Sequence, residues 1–138
     1  MGKQIEFTWP VRVYYEDTDA GGVVYYANYL KFLERARTEY LRDLGFEQDQ
    51  LKQEYGIIFA VHSLSIRYRK PAVFNDALAV TADIVDVGRA RLTFQQMITK
   101  DKDSSVICSA EVSIACLNAD RFTPARIPDH ILEVLNGS

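Results

Sequence analysis

The chain has 138 residues, of which 48% are hydrophobic and 25% charged, the size of one domain and the balance of an ordinary soluble globular protein rather than a disordered or fibrous one. Lys and Arg number 16 against 19 Asp and Glu, a net charge of −3, so the molecule as a whole has no basic footprint for nucleic acid. No apolar run approaches the ~18 residues of a membrane span, and the first six residues lack the apolar core of a signal peptide; a cytoplasmic location is expected.

Residues 7–15 alternate and are rich in Val and aromatics, which predicts a first strand ending at the acidic loop Glu16-Asp17-Thr18-Asp19-Ala20-Gly21-Gly22. Across 26–44, the apolar residues Tyr26, Tyr29, Leu30, Leu33, Tyr40, Leu41 and Leu44 recur at three- and four-residue steps and Gly45 follows as a stop. That is one long helix of about 28 Å, with Asn28 offering a later cap. A shorter helix is predicted over 49–55, closed by Gly56. Residues 57–69, 78–87, 91–99 and 106–117 then read as strands, separated by Pro71 with Asn75-Asp76, by Gly88 and by the polar stretch 100–105. In the first of these the apolar residues switch from odd positions (57, 59, 61) to even ones (64, 66, 68), a phase flip that predicts a bulge near His62. Pro128, Ile131, Leu132 and Leu135 point to a short terminal helix. Connections too short for crossover helices make the sheet mainly antiparallel, and the fold class is α+β. Cys108 and Cys116 share one predicted strand at a separation of about 26 Å, far beyond disulfide reach; buried free thiols are expected.

Glu16, Asp17 and Asp19 crowd three carboxylates between a strand and a helix. Such a cluster is costly when buried without positive field, and the start of the helix offers that field to a carboxylate or to the oxyanion of a reacting carbonyl. From spacing alone, a solvated acidic turn is the competing reading. A calcium loop starting at Asp17 would need an oxygen-bearing side chain at Gly21 and a glutamate at Asn28, and has neither. Gly-x-Ser-x-Gly, His-Glu-x-x-His, Cys-x-x-Cys and a full phosphate loop are all absent. His62 and His130 are too few and too dispersed for a metal site or a triad, so no metal is expected and any chemistry falls to a carboxylate. Arg37 sits in the apolar stripe of the helix and needs a partner, either Glu34 at i,i+3 or a group across a subunit contact. Basic residues gather at Arg67-Tyr68-Arg69-Lys70 and Arg89-Ala90-Arg91, as a phosphate-binding patch or as ordinary solvated strand edges.

The run Val11-Arg12-Val13-Tyr14-Tyr15-Glu16-Asp17-Thr18-Asp19-Ala20-Gly21-Gly22-Val23-Val24-Tyr25-Tyr26-Ala27-Asn28-Tyr29, continued by Leu33-Glu34-Arg35-Ala36-Arg37-Thr38-Glu39, closely resembles the YbgC-type, Tol-Pal-associated acyl-CoA thioesterases. These form part of the 4-hydroxybenzoyl-CoA thioesterase branch of the hotdog-fold superfamily. The resemblance covers nearly the whole chain. Its most specific part is Asp-x-Asp-x-x-Gly-x-Val-x-x-x-x-Tyr, met by Asp17, Asp19, Gly22, Val24 and Tyr29.

The resemblance implies a single hotdog domain over 1–138, with a five-stranded antiparallel sheet wrapped around the long helix. It implies hydrolysis of acyl-CoA to free acid and coenzyme A, which is part of the substrate, so that no cofactor is expected. Asp19 would attack the thioester carbonyl or activate a water that does, and the backbone amide of Tyr26 would stabilise the oxyanion. Some members carry histidine where this chain has Tyr26, so an imidazole mechanism at that position is excluded. Gly22, Tyr25, Tyr29 and Phe59 are the expected residues around the acyl group, although the aromatics serve equally as core, and Arg69, Lys70, Arg89 and Arg91 would hold the coenzyme A phosphates from the same or a neighbouring subunit. Homodimers joined edge to edge, pairing into homotetramers, are expected. A hotdog hydratase or dehydratase is a weaker reading, because the acidic motif holds no histidine. The other alternative is a non-catalytic acyl-thioester or acyl-carrier-protein binding subunit in phospholipid or envelope metabolism. The motif does not specify the acyl chain.

Overall fold

The computed structural model describes residues 7–137; the six N-terminal residues, on which the reading of an absent signal peptide rests, lie outside them. Its elements in chain order are β1 (Phe7–Arg12), a 3-10 turn (Tyr15–Asp17), α1 (Asn28–Asp43), α2 (Gln48–Tyr55), β2 (Ile57–Tyr68), β3 (Ala77–Val87), β4 (Arg91–Lys100), β5 (Val106–Asn118) and α3 (Asp129–Gly137). The strands form one antiparallel sheet in the order β1-β3-β4-β5-β2. This is the expected α+β hotdog arrangement, a sheet wrapped around one long helix.

Strand alternation supplies the inner face. Leu78, Val80 and Ala82 of β3, Leu92, Phe94 and Ile98 of β4, and Ala110, Val112, Ile114 and Cys116 of β5 are buried in alternating phase. Against them α1 sets Tyr29, Phe32, Leu33, Ala36 and Leu41, and α3 adds Ile131 and Leu135. Both cysteines are free and buried, as expected from their spacing along one strand.

Gln96 also faces inward, in phase with Leu92, Phe94 and Ile98, and is 1% exposed. Its amide donates to the carbonyls of Leu33 in α1 (3.0 Å) and Thr81 in β3 (3.1 Å), and its oxygen accepts from the Arg37 guanidinium (3.1 Å). The partner of Arg37 is thus Gln96 rather than Glu34, whose carboxylate takes the Thr38 hydroxyl at 2.6 Å. A buried cation finds a neutral acceptor across the core while the carboxylate one turn behind it stays exposed.

Beyond one-residue shifts at element ends, the structure departs from the sequence reading in the end of β1, the start of α1 and the register of β3. β1 stops at Arg12, because Val13 leaves the β3 register and exchanges hydrogen bonds with the β2–β3 loop, donating to Asp76 and accepting from Asn75. α1 starts at Asn28 rather than Tyr26, since residues 25–27 close a turn whose carbonyls accept from Asn28, Tyr29 and Leu30. β3 carries an unexpected register shift between Ile84 and Asp86. The β2 bulge lies between Val61 and Ser63, around His62 as its phase flip predicted. Gly56 closes α2 at φ +66°, where a side chain would be strained.

The two sheet edges are unlike. β1 carries Pro10, which has no N–H to offer a neighbouring strand. β2 presents twelve residues without proline, and Val61 and Leu64 are exposed upon it. No helix among the described residues is long and apolar enough to cross a membrane.

Candidate active site

Between β1 and α1 the acidic segment folds back on itself as a miniature hairpin. Tyr25 N–H donates to the Asp17 carbonyl (2.9 Å), Thr18 bridges Val24, and Asp19 N–H donates to the Val23 carbonyl (2.9 Å). Gly22 closes the turn at φ +84° and donates to the Asp19 carbonyl. This explains a glycine there, since the left-handed region penalises a side chain. Gly21 has a different reason: a Cβ would stand 3.3 Å from Asp19 Oδ1.

The three carboxylates separate by environment. Asp17 is buried and accepts from Tyr14 N–H (2.9 Å) and from the Asn28 side-chain amide (3.2 Å), tying the loop to the first residue of α1. Asp19 is exposed at the turn, with Oδ1 held by Gly21 N–H at 2.8 Å. Glu16 is exposed beside them. Residue spacing marks all three without ranking them, because burial and the Asn28 contact depend on how the loop closes; the choice of Asp19 comes from the family resemblance alone.

Tyr26 and Ala27 lie in the turn that precedes α1. Among the described residues, their backbone N–H groups find no protein acceptor, whereas those of Asn28, Tyr29 and Leu30 are taken up by the turn. Two unengaged donors therefore sit at the positive end of a 16-residue helix. The Tyr26 carbonyl accepts from the Tyr68 hydroxyl (3.2 Å), and the Tyr26 ring stands exposed beside Tyr25, at 5.0 Å between centroids. Ala27 and Tyr68 were not singled out by sequence reasoning, since an alanine amide and a strand tyrosine carry no signal of their own.

Tyr29 is buried, and its hydroxyl accepts the Ala72 N–H at 3.0 Å. Burial pushes its phenol upward, while the Ala72 contact opposes that shift. Val24 N–H reaches the Ala72 carbonyl at 2.8 Å, so the acidic loop, the helix start and the β2–β3 loop are laced together. A groove of about 240 Å³ opens there, lined by Val24, Tyr26, Tyr29, Tyr68, Arg69 and Lys70, with Pro71.

The structure brings Asp19, Gly22, Tyr25, Tyr26, Tyr29, Arg69 and Lys70 to one end of the molecule. It does not bring the other expected residues there. Phe59 lines a separate cavity of about 150 Å³ between α1 and the N-terminal half of β2. Arg91 pairs with Ala115 of β5, and the Arg89 carbonyl accepts from Ile127, whereas Arg69 and Lys70 donate to Ile107 at the start of β5. Eight residues of extended strand, about 26 Å, separate those ends. Within one protomer, the two basic patches cannot grip one phosphate group.

Residues 13–135 match the model of the thioesterase-like superfamily. The chain is 43% identical over 125 residues to the acyl-CoA thioesterase YbgC of Haemophilus influenzae, covering 91% of this chain and 90% of that protein. It is 41% identical over 126 residues to the acyl-CoA thioester hydrolase YbgC of Escherichia coli O157:H7, covering 91% and 92%. Among solved structures, a probable thioesterase from Bartonella henselae superposes with a TM-score of 0.84 at 35% identity, covering 90% of this chain and all of that one. The chain belongs to the thioesterase-like superfamily and, within it, to the YbgC-type acyl-CoA thioesterases.

Proposed function

We propose that this member of the YbgC-type thioesterases hydrolyses acyl-CoA thioesters to free acid and coenzyme A, with Asp19 as the reacting carboxylate. The observation that carries the reading is the pairing of an exposed Asp19, oriented through one oxygen by Gly21, with the unengaged N–H groups of Tyr26 and Ala27 at the helix start. A thioester carbonyl between them gains negative charge as the acyl carbon turns tetrahedral, and preorganised backbone donors stabilise that charge without reorganising. The free oxygen of Asp19 either attacks the acyl carbon or takes a proton from a water that does. In the first route an acyl–Asp19 anhydride forms as the carbon–sulfur bond breaks and coenzyme A leaves as the thiolate, and water then cleaves the anhydride, its oxygen staying on Asp19 when it attacks the aspartyl carbon. In the second, water attacks the acyl carbon directly, the same carbon–sulfur bond breaks, and the water oxygen enters the acid. The exposed Arg69 and Lys70 beside the groove suit the coenzyme A phosphates.

The working unit in this reading is a homodimer joined through β2. That strand is the long, proline-free edge with exposed Val61 and Leu64, and pairing it antiparallel with its copy satisfies its open backbone groups. The two-fold would also carry the Arg89 and Arg91 end of one protomer toward the Tyr26 groove of the other.

Release of thiol from a panel of acyl-CoAs tests the proposal. Asp19→Asn should lower kcat by at least about a hundredfold, the range of positioned acid–base groups. Full activity in that variant would refute the assignment. Binding of acyl-CoA without turnover in the native protein would favour the non-catalytic subunit, and turnover of acyl-carrier-protein thioesters alone would change the carrier. Oxygen-18 from water entering the Asp19 carboxylate in a single turnover would mark the nucleophilic route.

A further inference from the structure

Tyr29, Leu33 and Arg37 follow one another at four-residue steps along α1, so the helix that opens on the Tyr26 groove carries a buried cation about 12 Å further on. Arg37 is 9% exposed. Its guanidinium makes one hydrogen bond among the described residues, to the neutral Gln96, out of the five N–H donors it carries. No described carboxylate stands within ion-pair distance of it. Glu34 acts on it only through its field, from an exposed position where the Thr38 hydroxyl holds it. Burial pulls the Arg37 guanidinium below its ordinary value, with Glu34 opposing, and it stays charged all the same. Leaving a buried cation so thinly matched is costly.

The donors that Gln96 leaves free are not sealed in. Every fully enclosed side-chain nitrogen or oxygen among the described residues has a partner, so these donors face accessible space. The space beside them is the cavity of about 150 Å³ whose walls include Thr38, Leu41, Gln48, Phe59 and Phe94. Apolar side chains make up most of its lining, and its two charged residues are the buried Arg37 and the exposed Glu34. At ~30 Å³ per water-sized group, it has room for about five such groups, the tail of a short chain.

We propose that this cavity is an acyl subsite in which Arg37 binds a carboxylate at the far end of the acyl chain, which makes half-thioesters of short dicarboxylic acids such as glutaryl- and adipyl-CoA preferred substrates. The proposal rests on the hydrolase and dimer reading above. A two-fold near the middle of β2 sets the Phe59 end of one strand beside the Tyr68 end of the other. The cavity walls Phe59 and Val61 then face the neighbouring groove, where Tyr26 and Tyr68 stand. A thioester held at one protomer's Asp19 extends its acyl chain along the neighbour's α1, and the carboxylate meets the guanidinium's free donors in an apolar surround.

The test compares adipyl-CoA with hexanoyl-CoA, which share a chain length and differ in the terminal group. Native protein should favour adipyl-CoA in kcat/KM by about tenfold or more, mainly through KM. Arg37→Met should abolish or reverse that preference. Thr38→Leu, which adds bulk to the cavity wall and leaves the buried Arg37–Gln96 pair in place, should do the same and decides the matter where Arg37→Met fails to fold. Independently of turnover, free adipate but not hexanoate should bind the native protein by calorimetry, and Thr38→Leu should erase the binding. Equal use of both thioesters with no adipate binding would overturn the subsite and leave the hydrolase standing. Adipate binding lost in Thr38→Leu, in a protein that turns over no acyl-CoA, would sink the hydrolase and support the carboxylate site. An ω-hydroxyhexanoyl thioester preferred over adipyl would also overturn the subsite.

Discussion

Asp17→Asn isolates what the buried carboxylate does for its exposed neighbour. Asp17 offers one oxygen to Tyr14 N–H at 2.9 Å and the other to the Asn28 amide at 3.2 Å. Asparagine keeps one acceptor, turns the other position into a donor, and removes the charge that strengthens both contacts. The Asn28 amide can rotate to recover part of the loss. The remaining cost is about 1–2 kcal/mol, the lower part of the range for hydrogen bonds to charged groups, or a Tm lower by about 3–8 °C for a chain of this size. Turnover should suffer beyond stability. The Asn28 contact fixes the acidic hairpin to the helix start, and small misplacements of reacting groups are expensive, so kcat should fall about tenfold or more with KM changing less. Glu16→Gln removes the same charge one residue away from an exposed position and should leave both quantities near native. Calorimetric melting and thiol release on the two variants check this. Native Tm and native kcat in Asp17→Asn would refute the reasoning, and a lowered Tm with native kcat would refute its catalytic half.

Gln96→Leu should cost about 2–4 kcal/mol, because it strips the one acceptor from a buried guanidinium and removes the amide that ties α1 to β3; an unchanged urea midpoint would contradict the bridging role. Burial pushes the Cys108 thiol up to about 12 and the Cys116 thiol to about 11, whereas an unfolded thiol ionises near ~8.5. The native state therefore holds protons that the unfolded chain has lost, and stability present at neutral pH should decline as pH rises from about 9 toward 11–12. Urea midpoints across that window should flatten when both cysteines are replaced by alanine, and an equal slope would count against it. Val61→Lys, which places a charge on the open β2 edge, should scatter light as a monomer where the native chain forms the proposed dimer, and should lose turnover. A native protein that scatters as a monomer at every concentration would end the dimer reading.

Local patterns carried much of the fold. The three- and four-residue steps of α1, the left-handed stop at Gly56 and the phase flip at His62 are all written within short windows of sequence, because periodicity and backbone sterics act between near neighbours. The acidic loop between a strand and a helix is likewise written in its local residues, whereas the meaning of the Asp17-to-Tyr29 motif comes from its resemblance to a known family. Other features left no local trace. That β2 crosses the sheet to lie beside β5 is decided by ladders between residues far apart in sequence, and the start of α1 shifted because a turn, not the apolar stripe, takes up its first donors.

The sequence by itself determined which segments are strands and helices, where the chain bends, and which loop holds the carboxylates. Only the tertiary structure decided that Asp17 is buried while Asp19 is exposed, that Arg37 answers to Gln96 from 59 positions away, and that Phe59 and the Arg89–Arg91 patch stand apart from the Tyr26 groove. The physical reason is the same in each case. Burial, hydrogen-bond partnership and distance are properties of pairs of elements, and a residue's own neighbours along the chain carry no record of what will be packed against it.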